Sequence, residues 1–277
     1  MTLAKGPQFF FIIGAMKAGT TSLYKYLAGH PQLYASPRKE PRVFRDPADP
    51  ASLRTAFLDL FAGHGNEPWC FEGSTAYTKY PRFPGVPQRL RSVVPDARFV
   101  YLVRNPVERT WSQYVHNLAH GRETRPFARA LVTSPQYLDI SRYHLQLQQY
   151  CEVFPRDRIL VQVFEDMVRD PLATVRAVCG FLGIDTSYTP PTRAAYNRSS
   201  EKRAAPRPLR MIKTLGVDEM VPWRVRQWLR AAGAPLPDKK MGLTPELRAM
   251  VIEALRPDTE AFFQLYGRRV EAWSDFA

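Results

Sequence analysis

The chain is short of cysteine, histidine and acid, and it has no long apolar run. Its three cysteines, Cys70, Cys151 and Cys179, are odd in number and form no CxxC pair. That argues against a disulfide framework or a cysteine-built zinc site and fits a reducing compartment. His116 and His120 have the i,i+4 spacing of some zinc sites, but no glutamate motif or third ligand accompanies them, so no metal is expected. No stretch approaches the roughly 20 apolar residues of a membrane span. The run Phe9–Ile13 after Lys5 is too short for a signal-peptide core and passes straight into Gly14–Thr21. The expectation is a cytoplasmic protein with no transmembrane segment. Acids are outnumbered, 26 Asp and Glu against 39 Lys and Arg, for a net charge of +13. Such a balance favours anionic partners: nucleotides, polyanionic sugars, nucleic acid or acidic lipid headgroups. A basic surface that is simply solvated has the same total.

What is present is a repeated strand, turn and helix. Phe9–Ile13 reads as a buried strand ending at glycine, and Thr21–Leu27 has helical spacing up to Gly29-His30-Pro31. Residues 32–50, with four prolines, read as a loop, and Leu53–Phe61 as a helix. Trp69–Glu72, Phe99–Val103 and Ile159–Phe164 read as further strands. Asn105 and Pro106 suit the cap and first position of a helix running to about His120. Arg142–Phe154, Pro171–Leu182, Val221–Ala232 and Pro245–Tyr266 complete the helices. This alternation predicts an α/β, P-loop-type three-layer fold, with a mainly parallel central sheet covered by helices on both faces. No linker divides residues 1–277, which are expected to form a single domain.

Gly14-Ala15-Met16-Lys17-Ala18-Gly19-Thr20-Thr21 keeps the glycine frame of a Walker A loop, with four residues between the glycines. Glycines let backbone wrap phosphate, and the following helix turns its amides and positive end toward the anion. Thr20, Thr21 and Ser22 add hydroxyls. A nucleoside-triphosphatase has lysine directly after the second glycine. Here Thr20 stands there and Lys17 lies inside the loop, which weakens a triphosphate–magnesium reading and suits a single 5′-phosphate-type anion.

GAMKAGTTSL, followed by HPQLYASPRKEPRVF, resembles the sulfotransferases that use 3′-phosphoadenosine 5′-phosphosulfate (PAPS), in the branch of the heparan sulfate enzymes and their bacterial relatives. The resemblance spans roughly residues 9–182 and, weakly, the C-terminal segment GRRVEAW. It implies that Lys17, Ala18, Gly19, Thr20, Thr21 and Ser22 hold the 5′-phosphosulfate. PRKEPRVF resembles the stretch that brings a catalytic glutamate, here Glu40, to the acceptor. FEGSTAY resembles a second acidic segment, with Glu72 followed by Gly73 where the heparan-type enzymes carry a lysine that helps at the reaction centre; Lys79 lies further along. YLVRNPVERTWSQY resembles the 3′-phosphate site, with Arg104 and Ser112 as its ligands. Tyr143 matches a tyrosine that lines the pocket. The loop Asn197–Arg207 resembles a basic loop closing over the nucleotide through Lys202 and Arg203, with Ser199 or Ser200 as donors.

The chemistry expected is in-line sulfuryl transfer without a metal, with Lys17 following charge onto the bridging oxygen and Glu40 as general base. A histidine, His116 or His144, is the rival base. The implied acceptor is a hydroxyl or amine on a carbohydrate, glycolipid or other small molecule. The helix Val221–Ala232 either rims the acceptor site or touches acidic lipid, or packs on the core. Two other readings remain. An ATP-using P-loop phosphotransferase is opposed by the position of Lys17. A non-enzymatic polyanion binder leaves the ordered loop and the Arg104/Ser112 pair unexplained, so no nucleic-acid partner is expected.

Overall fold

Five short segments, Gln8–Gly14 (β1), Leu33–Ala35 (β2), Trp69–Gly73 (β3), Arg98–Val103 (β4) and Ile159–Val163 (β5), pair into one parallel sheet in the order β2-β3-β1-β4-β5. The computed structural model describes residues 6–191 and 242–277. The central strands are apolar along most of their length because both of their faces are covered, and every residue of β3 is buried. The edge strand β5 alternates instead, with Ile159, Val161 and Val163 buried.

Helices follow each strand: Thr20–Leu27 (α1), Pro50–Asp59 (α2), Val86–Val93 (α3), Pro106–Ala119 (α4), Phe127–Thr133 (α5), Gln136–Asp139 (α6), Tyr143–Cys151 (α7), Phe164–Arg169 (α8), Pro171–Leu182 (α9) and Pro245–Tyr266 (α10). Strand order and handedness together place them. The step from β1 to β2 runs in one direction across the sheet, and the later steps run in the other. Right-handed crossovers therefore put α1 on one face and α2 to α7 on the opposite one. The packing agrees: α1 meets α9, whereas α2 meets α3, and α10 meets α4 and α7. The three-layer α/β arrangement expected from the alternation is present.

One expectation fails inside residues 32–50, where β2 interrupts the loop. Three residues are too few for a periodic signal, and the strand exists because its backbone pairs with β3, Leu33 opposite Trp69 and Ala35 opposite Phe71. Helices α3, α5, α6 and α8 are likewise absent from the spacing; three of the four have seven residues or fewer.

β1 and β4 are neighbours whose following helices leave to opposite faces. Their carboxyl ends thus form the topological switch point, where open α/β sheets bind ligands. Gly14 stands at that crevice with φ +154°, and a Cβ on it would lie 2.0 Å from Thr78 Oγ1 and 3.1 Å from the Tyr101 ring. Gly14→Ala should therefore break the hydrogen bond from Thr78 Oγ1 to the Ile13 carbonyl (2.8 Å). We expect a loss of about 1–3 kcal/mol in urea unfolding. Gly180→Ala, in open space on α9, should be neutral or slightly stabilising.

Candidate active site

The candidate phosphate loop, Gly14 to Thr21, leads from the end of β1 into α1. Lys17 sits at φ +74°, a conformation that costs a side-chain-bearing residue about 1–3 kcal/mol and persists only where neighbours impose it. Those neighbours are arginines from the next strand and helix. Arg104 Nη1 donates to the Lys17 carbonyl (3.3 Å) and Arg109 Nη1 to the Met16 carbonyl (3.5 Å). Gly19, at φ +89°, opens α1, and no side chain caps that helix or places an acid in its first turn. Its leading amides and positive end are thus available to an anion. Ala18 is buried and offers only backbone, Thr20 and Ser22 are buried, and Thr21 is half-buried.

Arg104 follows β4, and Asn105 caps α4 by accepting from the amides of Val107 and Glu108. The guanidinium of Arg104 stacks over Phe164, 4.8 Å from the ring centre. Tyr143 is 1% exposed, and its hydroxyl donates to the Arg104 carbonyl (2.6 Å) and accepts from the Arg104 amide (3.2 Å). It fixes Arg104 from behind. The chain's far end braces the same corner: Asn105 Nδ2 donates to Asp275, Arg248 joins Asp275 to Glu108, and Trp273 Nε1 donates to Glu165, which also accepts from the Asn105 amide.

Ser112 lies two turns into α4 and is 6% exposed, yet its hydroxyl has no hydrogen-bond partner among the described residues. A buried hydroxyl left unpaired costs about 1–3 kcal/mol, so it is suited to a ligand oxygen. The Ser112 hydroxyl and the start of α1 are thus two places where hydrogen-bonding groups lack a side-chain partner among the described residues.

Glu40 enters from the other side. Residues 36–44 are stitched along β3 and its continuation: Ser36 N to Phe71 O, Glu40 N to Gly73 O, Arg42 N to Ser74 Oγ and Phe44 N to Tyr77 Oη. Glu40 and Arg42, on either side of Pro41, both hold positive φ, +62° and +61°. The Glu40 carboxylate accepts from Thr75 N (3.1 Å), Thr75 Oγ1 (3.0 Å) and Lys39 Nζ (3.1 Å), with Arg42 Nε at 3.6 Å. Burial pushes this carboxyl up, but Lys39 and Thr75 outweigh it and hold it below its ordinary value. Glu40 is ionised and fixed. Its hydrogen bonds and ion pairs run to Lys39, Arg42 and Thr75, not to a histidine. His116 and His120 lie against one another at the end of α4 with centroids 4.1 Å apart, and His144 lies in the first turn of α7 with its amide on Asp258.

Glu72 is fully buried one strand away. Ser74 Oγ donates to its Oε2 (2.8 Å), and its Oε1 has no partner in bonding geometry. Burial pushes the carboxyl up to about 7; the Tyr77 and Ser74 hydroxyls oppose that, and the Glu40 charge adds to it. A folded value raised above the ordinary 4.5 means that the protonated form stabilises the fold. That contribution is whole below pH 4.5 and is lost as pH rises through about 7. Glu72→Gln should accordingly gain about 1–3 kcal/mol over wild type at pH 8 and nothing at pH 4.5, read from urea midpoints.

Gly73, where the resemblance implies a lysine, backs onto Tyr24: a Cβ there would lie 3.1 Å from that ring. Lys202, Arg203, Ser199, Ser200 and the helix Val221–Ala232 lie outside the described residues. Three functional groups escape sequence reasoning. Arg109 is fully buried and also donates to Tyr137 O and Gln113 Oε1, carrying the loop from beneath. Ser74 links the Glu72 carboxyl to the Glu40 loop. Thr75 grips Glu40. The FEGSTAY resemblance marks the segment without assigning its hydroxyls.

Among the described residues no helix is long and apolar enough to cross a membrane. The three cysteines are unpaired. Comparison with known proteins agrees with the fold. Over 196 residues the chain is 26% identical to the human bifunctional heparan sulfate N-deacetylase/N-sulfotransferase 2, covering 63% of this chain and 22% of that protein. It is 29% identical over 190 residues to the mouse heparan sulfate glucosamine 3-O-sulfotransferase 6, covering 64% and 53% respectively. The chain thus spans between about a fifth and about half the length of these relatives. A crystal structure of a sulfotransferase from Alicyclobacillus acidocaldarius superposes with a TM-score of 0.71 at 27% identity, covering 98% of this chain and 99% of that one. A family model described as the Sulfotransferase family matches residues 46–188, a span that is more than half of the chain and holds Glu72, Arg104, Ser112 and Tyr143. With the parallel sheet, the loop at its switch point and these matches in agreement, the chain belongs to the Sulfotransferase family.

Proposed function

We propose that the protein transfers the sulfuryl group of PAPS to a hydroxyl or amine, on a carbohydrate, glycolipid or other small molecule. The observation that carries the donor side is the buried, unpaired Ser112 hydroxyl on the helix that Arg104 precedes, because a 3′-phosphate is the group that separates PAPS from ATP-type nucleotides. The 5′-phosphosulfate would be held by the backbone of Lys17 to Thr21 with the hydroxyls of Thr20, Thr21 and Ser22. Arg104 and Ser112 would take the 3′-phosphate, with Tyr143 holding Arg104 in position. Lys202 and Arg203 are assigned to the same phosphate by resemblance alone. No metal enters this scheme.

In the reaction the sulfur–oxygen bond to the phosphate breaks and its electron pair stays on the phosphate oxygen, where Lys17 offsets the new charge. A bond forms from the acceptor oxygen or nitrogen to sulfur, and the acceptor proton passes to Glu40. A carboxylate held below its ordinary value is a weak base. The transfer must therefore come late, once bonding to sulfur has made that proton acidic. The heparan sulfate enzymes among the relatives support a carbohydrate acceptor.

The test is calorimetry with adenosine 3′,5′-bisphosphate (PAP), the product, against ATP with Mg²⁺. PAP should bind at least about tenfold more tightly, a difference of about 1.4 kcal/mol. Equal or stronger binding of ATP would overturn the reading. A panel of acceptors with sulfur-labelled PAPS then identifies the second substrate.

A further inference from the structure

The turn Thr75–Thr78 joins the two halves of the site. Its first residue grips the Glu40 carboxylate, and its last, Thr78, donates from Oγ1 to the Ile13 carbonyl just before the phosphate loop. Lys79 follows directly. Its backbone is clamped on both sides: its carbonyl accepts from Phe83 N (3.1 Å), and the next residue, Tyr80, exchanges two hydrogen bonds with the Gln146 side chain (2.9 and 2.7 Å). The side chain is half-buried and makes no hydrogen bond or ion pair to a carboxylate among the described residues. The charges that act on it are Glu40, which favours its cation, and Arg42, Arg82 and Arg109, which oppose it. A partly desolvated ammonium among three guanidiniums and one carboxylate is short of anion. It belongs to the segment that ties the donor loop, through Thr78, to Glu40, through Thr75.

We propose that the Lys79 ammonium binds the anionic sulfuryl group, contacting its non-bridging oxygens in the bound donor and as it passes from the phosphate to the acceptor. The inference rests on the sulfotransferase reading above and adds a catalytic residue to it. Bond changes are those already given. Lys79 keeps its proton throughout, while Glu40 takes the acceptor's. Burial lowers the Lys79 amine to about 8, so the contact should weaken on the alkaline side of neutrality.

Calorimetry with PAPS and with PAP tests this without knowledge of the acceptor, because the two ligands differ only in the sulfuryl group. At pH 7, Lys79→Met should weaken PAPS about tenfold and PAP less than about twofold, while Lys79→Arg should stay within about threefold of wild type for both. Between pH 7 and 9.5 the wild-type preference for PAPS over PAP should shrink several-fold, and in Lys79→Arg it should hold, since a guanidinium does not titrate there. Equal weakening of both ligands by Lys79→Met, or of neither, would overturn the role of Lys79 alone. So would an unchanged pH dependence in Lys79→Arg, which remains decisive if the methionine variant does not fold. A wild-type protein that binds neither PAP nor PAPS would instead overturn the donor reading and this inference with it.

Discussion

Glu40→Gln is expected to bind PAP within about twofold of wild type while losing turnover by about 10²–10⁴, the range for removal of a positioned general base. The structure explains why the two effects should separate. Glu40 belongs to a loop tied to β3 through Ser36, Arg42 and Phe44, and those backbone bonds do not involve its carboxylate. A glutamine keeps one oxygen to accept from Thr75, so the loop should keep its path. What disappears is the negative charge that takes the acceptor's proton. Because Lys39 and Thr75 hold Glu40 below its ordinary value, wild-type turnover should show no loss of base as pH falls from 7 toward 5. Single-turnover rates with labelled PAPS across that range check both statements. Near-normal turnover in the glutamine variant would remove Glu40 from the mechanism.

Lys17→Ala should damage both steps: about tenfold in PAP affinity and about 10²–10³ in turnover, the size found when one donor to a developing oxyanion is removed. What is lost is the ammonium that meets the charge left on the bridging oxygen. The bonds from Arg104 and Arg109 run to the main-chain carbonyls of Lys17 and Met16, so alanine keeps them, and with its Cβ it keeps the strain of φ +74°. Lys17→Gly removes the charge and that strain together, so PAP affinity should fall less than in the alanine variant, and turnover should fall as far. Turnover equal to wild type in either variant would contradict the assignment of this loop to the leaving group.

Much of the donor half is legible in the sequence. The glycine frame, the strand before it and the helix after it are local features, and the displacement of Lys17 from the position a triphosphate needs is read from spacing alone. Arg104 at a strand end, with Asn105 and Pro106 opening the next helix, is equally local, and α4 and its cap stand where those residues put them. Helix α10 runs over Pro245–Tyr266 as its period indicates, with Thr244 capping it and Gly267 ending it. Resemblance alone puts Tyr143 in the pocket lining; its packing behind Arg104 depends on Tyr101, Phe262 and Trp273, which are far apart in the chain.

By itself, then, the sequence determined the alternation of strand and helix, the phosphate loop and the charged strand end. Each of these follows from periodicity, capping and the conformational range of glycine within a few neighbouring residues. Only the tertiary structure decided the rest. It set the order β2-β3-β1-β4-β5, which brings the loop after β1 beside the one after β4, and it made a strand of Leu33–Ala35. It also buried Arg109 under the phosphate loop, joined Glu72 to the Glu40 loop through Ser74, and set Lys79 near Glu40. These are partnerships between residues some 30 to 90 positions apart, and the backbone pairing, burial and desolvation that create them exist only once the chain has packed.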